Sequence, residues 1–101
     1  MLNSKVSQMN NENYARNPSV GIIKALVAAG WEGVNITDAG SLWQKGDKRL
    51  LVDSVGVFLF QLEGGRWTRI AGLSHNLISH QSLVENRLYF PNYKFNLYLR
   101  G

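Results

Sequence analysis

The spacing of apolar residues changes along this chain, and each change marks an element. Ile22, Ile23, Leu26, Val27 and Ala29 recur at helical spacing, with Lys24 off their face, and predict an amphipathic helix. Asn17-Pro18 is its start signal, Asn as the N-cap and Pro in the first helical position. Gly30 suits the left-handed position after the last turn, where Trp31 can fold back on Leu26 as in a Schellman motif.

From Gly40 onward the pattern predicts strands. Lys45-Gly46-Asp47-Lys48 reads as a hairpin turn that pairs Trp43 with Leu50 and Gln44 with Arg49. Asp53-Ser54-Val55-Gly56 is a second turn. The run from Val57 to Leu62 begins apolar on both faces, as a central strand does. Glu63-Gly64-Gly65-Arg66 is the strongest hairpin signal in the chain. With Gly64-Gly65 as loop residues, Leu62 faces Trp67, Phe60 faces Arg69 and Phe58 faces Ala71, while Leu59 and Ile70 lie on the other face. Residues 41–73 therefore read as an antiparallel meander of three or four strands.

Beyond this the pattern is mixed. Leu73, Leu77, Val84 and Leu88 fit one helical face, and Ser82 with Glu85 makes a capping box. A broken helix and a helix plus a loop both fit residues 74–86. Leu88-Tyr89-Phe90 and Tyr93 to Leu99 then form a last hairpin about Pro91-Asn92. In its second strand Tyr93, Phe95, Leu97 and Leu99 face inward, and Lys94, Asn96, Tyr98 and Arg100 face water. Residues 1–16 are rich in Asn, Ser and Gln without a period, which predicts a flexible N-terminal arm ahead of one domain, 17–101. The fold expected is α+β: an N-terminal helix packed on an antiparallel, hairpin-built sheet of about five or six strands, with a second short helix near 75–86.

Composition narrows the classes. With 45% hydrophobic and 11% aromatic residues the chain can build a core, which argues against intrinsic disorder. No run approaches the roughly 18–20 apolar residues of a membrane span. The first residues, Met1-Leu2-Asn3-Ser4-Lys5, lack the apolar centre of a signal peptide, and there is no cysteine for a disulfide or thiolate site. A cytoplasmic protein with no membrane association is the expectation. The formal charge is +4, yet only 18% of residues are charged, against about 25% on average. The basicity thus reflects a shortage of acids, and it permits a polyanionic partner.

The candidate chemistry is thin. His75 and His80 each follow a serine, but a spacing of five puts them on different faces of a helix and opposite faces of a strand. Without a third ligand they make a poor zinc site, and adjacent Ser and His side chains do not point at each other. One histidine paired in space with Asp53 or Asp38 is the remaining route to a general base. The acids are dispersed, and Gly64-Gly65 lies between strands rather than before a helix, which argues against a phosphate loop. No catalytic residue, metal or cofactor is expected. What remains is basic residues beside aromatics: Lys45, Lys48, Arg49, Arg66 and Arg69, with Trp43 and Trp67. Such a sheet can bind single-stranded nucleic acid by stacking and phosphate contacts. The competing reading puts both tryptophans in the core and leaves the lysines to keep hairpin tips soluble. Arg69, opposite Phe60 on the more apolar face, needs an acid, an aromatic ring or a ligand under either reading.

Residues 22–52, from Ile-Ile-Lys-Ala-Leu-Val-Ala-Ala-Gly-Trp through Gly40-Ser41 to Arg49-Leu50-Leu51-Val52, bear some resemblance to HicA-type mRNA interferase toxins. Those open with a helix ending in Gly-Trp and run into the hairpin strands of a double-stranded-RNA-binding-like fold. The resemblance covers less than a third of the chain. The histidine that follows Gly-Ser in that family is Leu42 here, so ribonuclease activity of that type is not implied. The expectation is a non-catalytic binding module for nucleic acid or another acidic partner. The alternative is a protein-interaction or homo-oligomeric domain acting through an exposed edge such as Tyr93 to Leu99 or through an aromatic patch. A small histidine-dependent enzyme ranks third.

Overall fold

In the computed structural model, which describes residues 18–100, the first apolar run forms helix α1 (Pro18–Ala28). The expected arm at 1–16 and the Asn17 cap lie outside the described residues. Helix α1 ends in the predicted Schellman motif: Gly30 N–H donates to the Val27 carbonyl at 3.1 Å and Trp31 N–H to the Leu26 carbonyl at 3.0 Å. Trp31 and Leu26 both enter the buried cluster.

Five strands follow as a simple meander: β1 (Glu32–Thr37), β2 (Gly40–Lys45), β3 (Lys48–Asp53), β4 (Gly56–Glu63) and β5 (Arg66–Ser74), each antiparallel to the next. Strand β1 was not legible in the sequence. All six of its residues are exposed, so no burial period marks it, and Gly33 and Asn35 are weak strand formers. The predicted pairs Trp43–Leu50 and Gln44–Arg49 are present. So are Leu62–Trp67 and Phe60–Arg69, around a turn whose Gly64 and Gly65 have φ of 57° and 79°. A two-residue hairpin loop with both φ positive suits glycine at both positions.

One register expectation fails. Phe58 faces Gly72, not Ala71, because the ladder shifts between Leu59 and Phe60 and Leu59 faces Ala71. Ile70 is the extra residue of a β-bulge.

Residues 74–86 resolve as a 3-10 turn (His75–Leu77) and a short helix α2 (His80–Val84). The expected capping box at Ser82 and Glu85 is displaced by one turn. Ser79 is the cap, its Oγ accepting from Ser82 N–H at 3.1 Å, while Ser82 Oγ donates back to the Ser79 carbonyl at 2.8 Å. Nor is there one helical face, since Leu77 and Val84 are exposed, whereas Leu73 and Leu88 are buried from strands.

Strands β6 (Arg87–Phe90) and β7 (Phe95–Tyr98) form a separate two-stranded ribbon. Its turn spans 91–94 rather than two residues, because Phe90 faces Phe95. Tyr93 therefore sits exposed in the turn, and the inward phase of the last strand holds only for Leu97 and Leu99.

The core joins Ile22 and Leu26 of α1 to Trp43, Leu50, Val52, Val57, Leu59, Ala71 and Leu73 on one sheet face, and to Leu88, Phe90, Leu97 and Leu99 from the ribbon. Its corner is held by polar bonds. The Leu99 carbonyl accepts from Trp31 Nε1 at 2.7 Å and from Lys45 Nζ at 3.1 Å, and the same ammonium donates to the Ala29 carbonyl at 2.7 Å. Lys45 thus ties the C-terminal end of α1, where the helix dipole favours a cation, to the end of the chain's last strand segment. Lys45→Met should leave two carbonyls without this donor and lower unfolding free energy by about 1–3 kcal/mol, read from urea titrations. A change within about 0.5 kcal/mol would mean that the ammonium acts only as a surface charge.

Candidate interface on the open face of the sheet

Helix α1 and the ribbon share a core with only one side of the sheet. The register places two rows of residues across the other. Leu42, Leu51, Phe58 and Gly72 form one row across β2 to β5, and Gln44, Arg49, Phe60 and Arg69 form the next. Leu62 and Trp67 continue the face toward the hairpin tip. All of these residues are half-buried or exposed.

Two arginines lie flat on this face. Arg49 Nε donates to Gln44 Oε1 at 2.8 Å, and its guanidinium carbon stands 4.4 Å from the Trp67 ring centroid. The Arg69 guanidinium carbon stands 4.3 Å from the Phe58 ring centroid. Both distances are those of cation–π stacks. The aromatic ring that Arg69 needs is therefore Phe58, reached diagonally, rather than Phe60 directly opposite. The slot for it exists because the bulge puts Gly72 across from Phe58. A Cβ at Gly72 would sit 3.1 Å from Arg69 Nη2 and 3.2 Å from Phe58 Cδ1.

Among the described residues neither guanidinium reaches a carboxylate; the ion pairs there are Lys48–Asp47 and Arg87–Glu85. Arg69 makes no hydrogen bond to protein among these residues either. The stacks orient the two cations while leaving their charge uncompensated.

No known protein family, curated protein or solved structure matches this chain.

The other residues singled out from the sequence lie elsewhere. Trp43 is buried on the helix side, its Nε1 donating to Ser41 Oγ at 2.8 Å. Lys45 is engaged by the Ala29 and Leu99 carbonyls. Lys48 Nζ stands 3.3 Å from Asp47 Oδ1. Gln61 Nε2 donates to the other Asp47 oxygen at 2.6 Å, and this bond, followed by Lys48, holds the Asp47 carboxyl below the usual carboxylate range. Arg66 is exposed at the hairpin tip across from Glu63. Of the seven residues, Arg49, Trp67 and Arg69 share the open face. Sequence reasoning missed Phe58, Phe60 and Gly72. The signal for Phe58 and Phe60 was the run from Val57 to Leu62, apolar on both faces, which suits an open aromatic face as well as a doubly covered strand, whereas Gly72 had none.

The histidines do not assemble a catalytic pair. His75 is buried, with Nε2 at hydrogen-bonding distance from the Asp53 backbone carbonyl and 3.3 Å from Ser19 Oγ. A carbonyl only accepts, so this geometry assigns the proton to Nε2. Ser19 Oγ itself donates to the same carbonyl at 3.2 Å. The imidazole thus offers the serine no lone pair at Nε2. The Asp53 carboxylate is turned away, accepting from Val55 and Gly56 N–H at 2.8 and 3.1 Å to shape the β3–β4 turn. His80 is exposed at the start of α2. Among the described residues no three His, Cys, Asp or Glu side chains cluster as metal ligands, and no helix is long and apolar enough to cross a membrane.

Proposed function

We propose that this domain is a non-catalytic binding module whose open sheet face takes single-stranded nucleic acid. The observation that carries the reading is the pair of guanidinium–ring stacks, Arg49 on Trp67 and Arg69 on Phe58, with no carboxylate partner among the described residues. An exposed apolar sheet face marks a binding surface more often than chance. Uncompensated guanidiniums on that face select an anion, and they match phosphate in a bidentate fork. Half-exposed rings beside them supply stacking platforms that tolerate any base. Single-stranded nucleic acid offers flat rings and phosphates together; a duplex hides its rings and fits this surface less well.

Binding of fluorescent oligothymidylate, followed by anisotropy between about 50 and 200 mM salt, tests the reading. Affinity should fall steeply with salt, and Trp67→Ala should cost about 1–3 kcal/mol. The double substitution Arg49→Gln/Arg69→Gln should reduce the slope of log affinity against log salt by about 1.4. Absence of binding at low salt, or binding indifferent to the double substitution, removes the reading.

A second reading rests on the ribbon. Among the described residues strands β6 and β7 pair with each other and with no third strand, and Tyr89, Phe95 and Tyr98 along them and Tyr93 in their turn are exposed. Unpaired strand edges with aromatic side chains invite a further strand, as in self-association. This predicts a light-scattering mass that rises with concentration above the 11.4 kDa of one chain. A constant monomer mass would eliminate self-association.

A further inference from the structure

The Arg69–Phe58 stack lines a cleft of about 330 Å³ where the open face ends. Leu77 of the 3-10 turn borders it, and Asn92 and Tyr93 of the β6–β7 turn reach past the edge of β5 to line it as well. Among the described residues that line it, Arg69 is the one cation and there is no carboxylate. Tyr93 is 52% exposed, so its ring is available to a ligand. The site thus sets one guanidinium beside an aromatic ring at one end of the open face.

We infer that this cleft receives a phosphorylated end of the bound strand, its terminal phosphate on the Arg69 guanidinium and its last base against Tyr93. The inference rests on reading the open face as a nucleic-acid surface. A guanidinium fork also fits a carboxylate, so a peptide C-terminus is the competing occupant. The second stack, Arg49 on Trp67, decides between them. Its ring, Trp67, is the next residue of β5 on the same face, two positions or roughly 7 Å from Arg69, and its guanidinium reaches there from β3. The two stacks therefore lie side by side and answer a polymer that repeats both charge and flat ring. A peptide end carries its charge once.

Short oligothymidylates labelled internally, bearing a 5′-phosphate, a 3′-phosphate or hydroxyls at both ends, separate the possibilities by anisotropy. One phosphorylated form should bind about tenfold tighter than the unphosphorylated strand. The gain should vanish in Arg69→Gln and in Tyr93→Ala and persist in Arg100→Gln, which alters an exposed cation outside the cleft. Equal binding of all three strands overturns the inference while leaving the open-face reading in place. So does a gain that survives Arg69→Gln, which would reflect added charge alone. No binding of any strand removes inference and reading together. An oligopeptide with a free C-terminal carboxylate, added as competitor, overturns the inference if it occupies the site in an Arg69-dependent way and the terminal phosphate does not.

Discussion

The β-bulge at Ile70 decides which residues of β5 meet the core and which meet the open face. Side chains alternate along a strand, so the phase set by Trp67 and Arg69 would otherwise place Ala71 and Leu73 outward as well. One extra residue reverses that phase. Ala71 and Leu73 enter the core, and Gly72 comes to stand opposite Phe58. The same event therefore completes the buried face of β5 and opens the slot in which the Arg69 guanidinium lies.

Among the described residues the sheet is covered on one side. Helix α1 has eleven residues and presents Ile22 and Leu26 to the sheet; the ribbon adds Leu88, Phe90, Leu97 and Leu99 to the same cluster. Nothing among the described residues is left to cover the opposite face. The polar corner at Leu99, shared by Trp31 and Lys45, holds helix, sheet and ribbon to their common side. The face left open is not uniformly apolar. Its two guanidiniums are held by rings rather than by acids, which keeps them oriented without cancelling their charge.

Much of the architecture was legible because it is written in local chemistry. Glycine pairs and turn residues specified the β2–β3 and β4–β5 hairpins, and Gly30-Trp31 specified the end of α1. The bulge was not legible, since it depends on which of Ala71 and Ile70 the core accepts, a choice made in three dimensions. Residues 74–86 misled for a similar reason: Leu73 and Leu88 are spaced as if on a helix but reach the core from two strands. The candidate face was half legible. Arg69 stood out as a cation on an apolar face, but the need it signalled is met by Phe58 through Gly72, a pairing the unbulged register conceals. Trp43 and Trp67 look alike in sequence, and only the sheet's phase puts one in the core and the other on the surface.

The three tryptophans supply the most direct test of the open-face account. Trp31 and Trp43 donate their indole N–H to Leu99 and Ser41, whereas the Trp67 indole has no protein acceptor among the described residues. Titration of oligothymidylate into ¹⁵N-labelled protein should shift the Trp67 indole resonance and the amides around Phe58 and Phe60, leaving the Trp31 and Trp43 indoles in place. A Trp67 indole that stays fixed while the ribbon or the helix side responds would contradict the account.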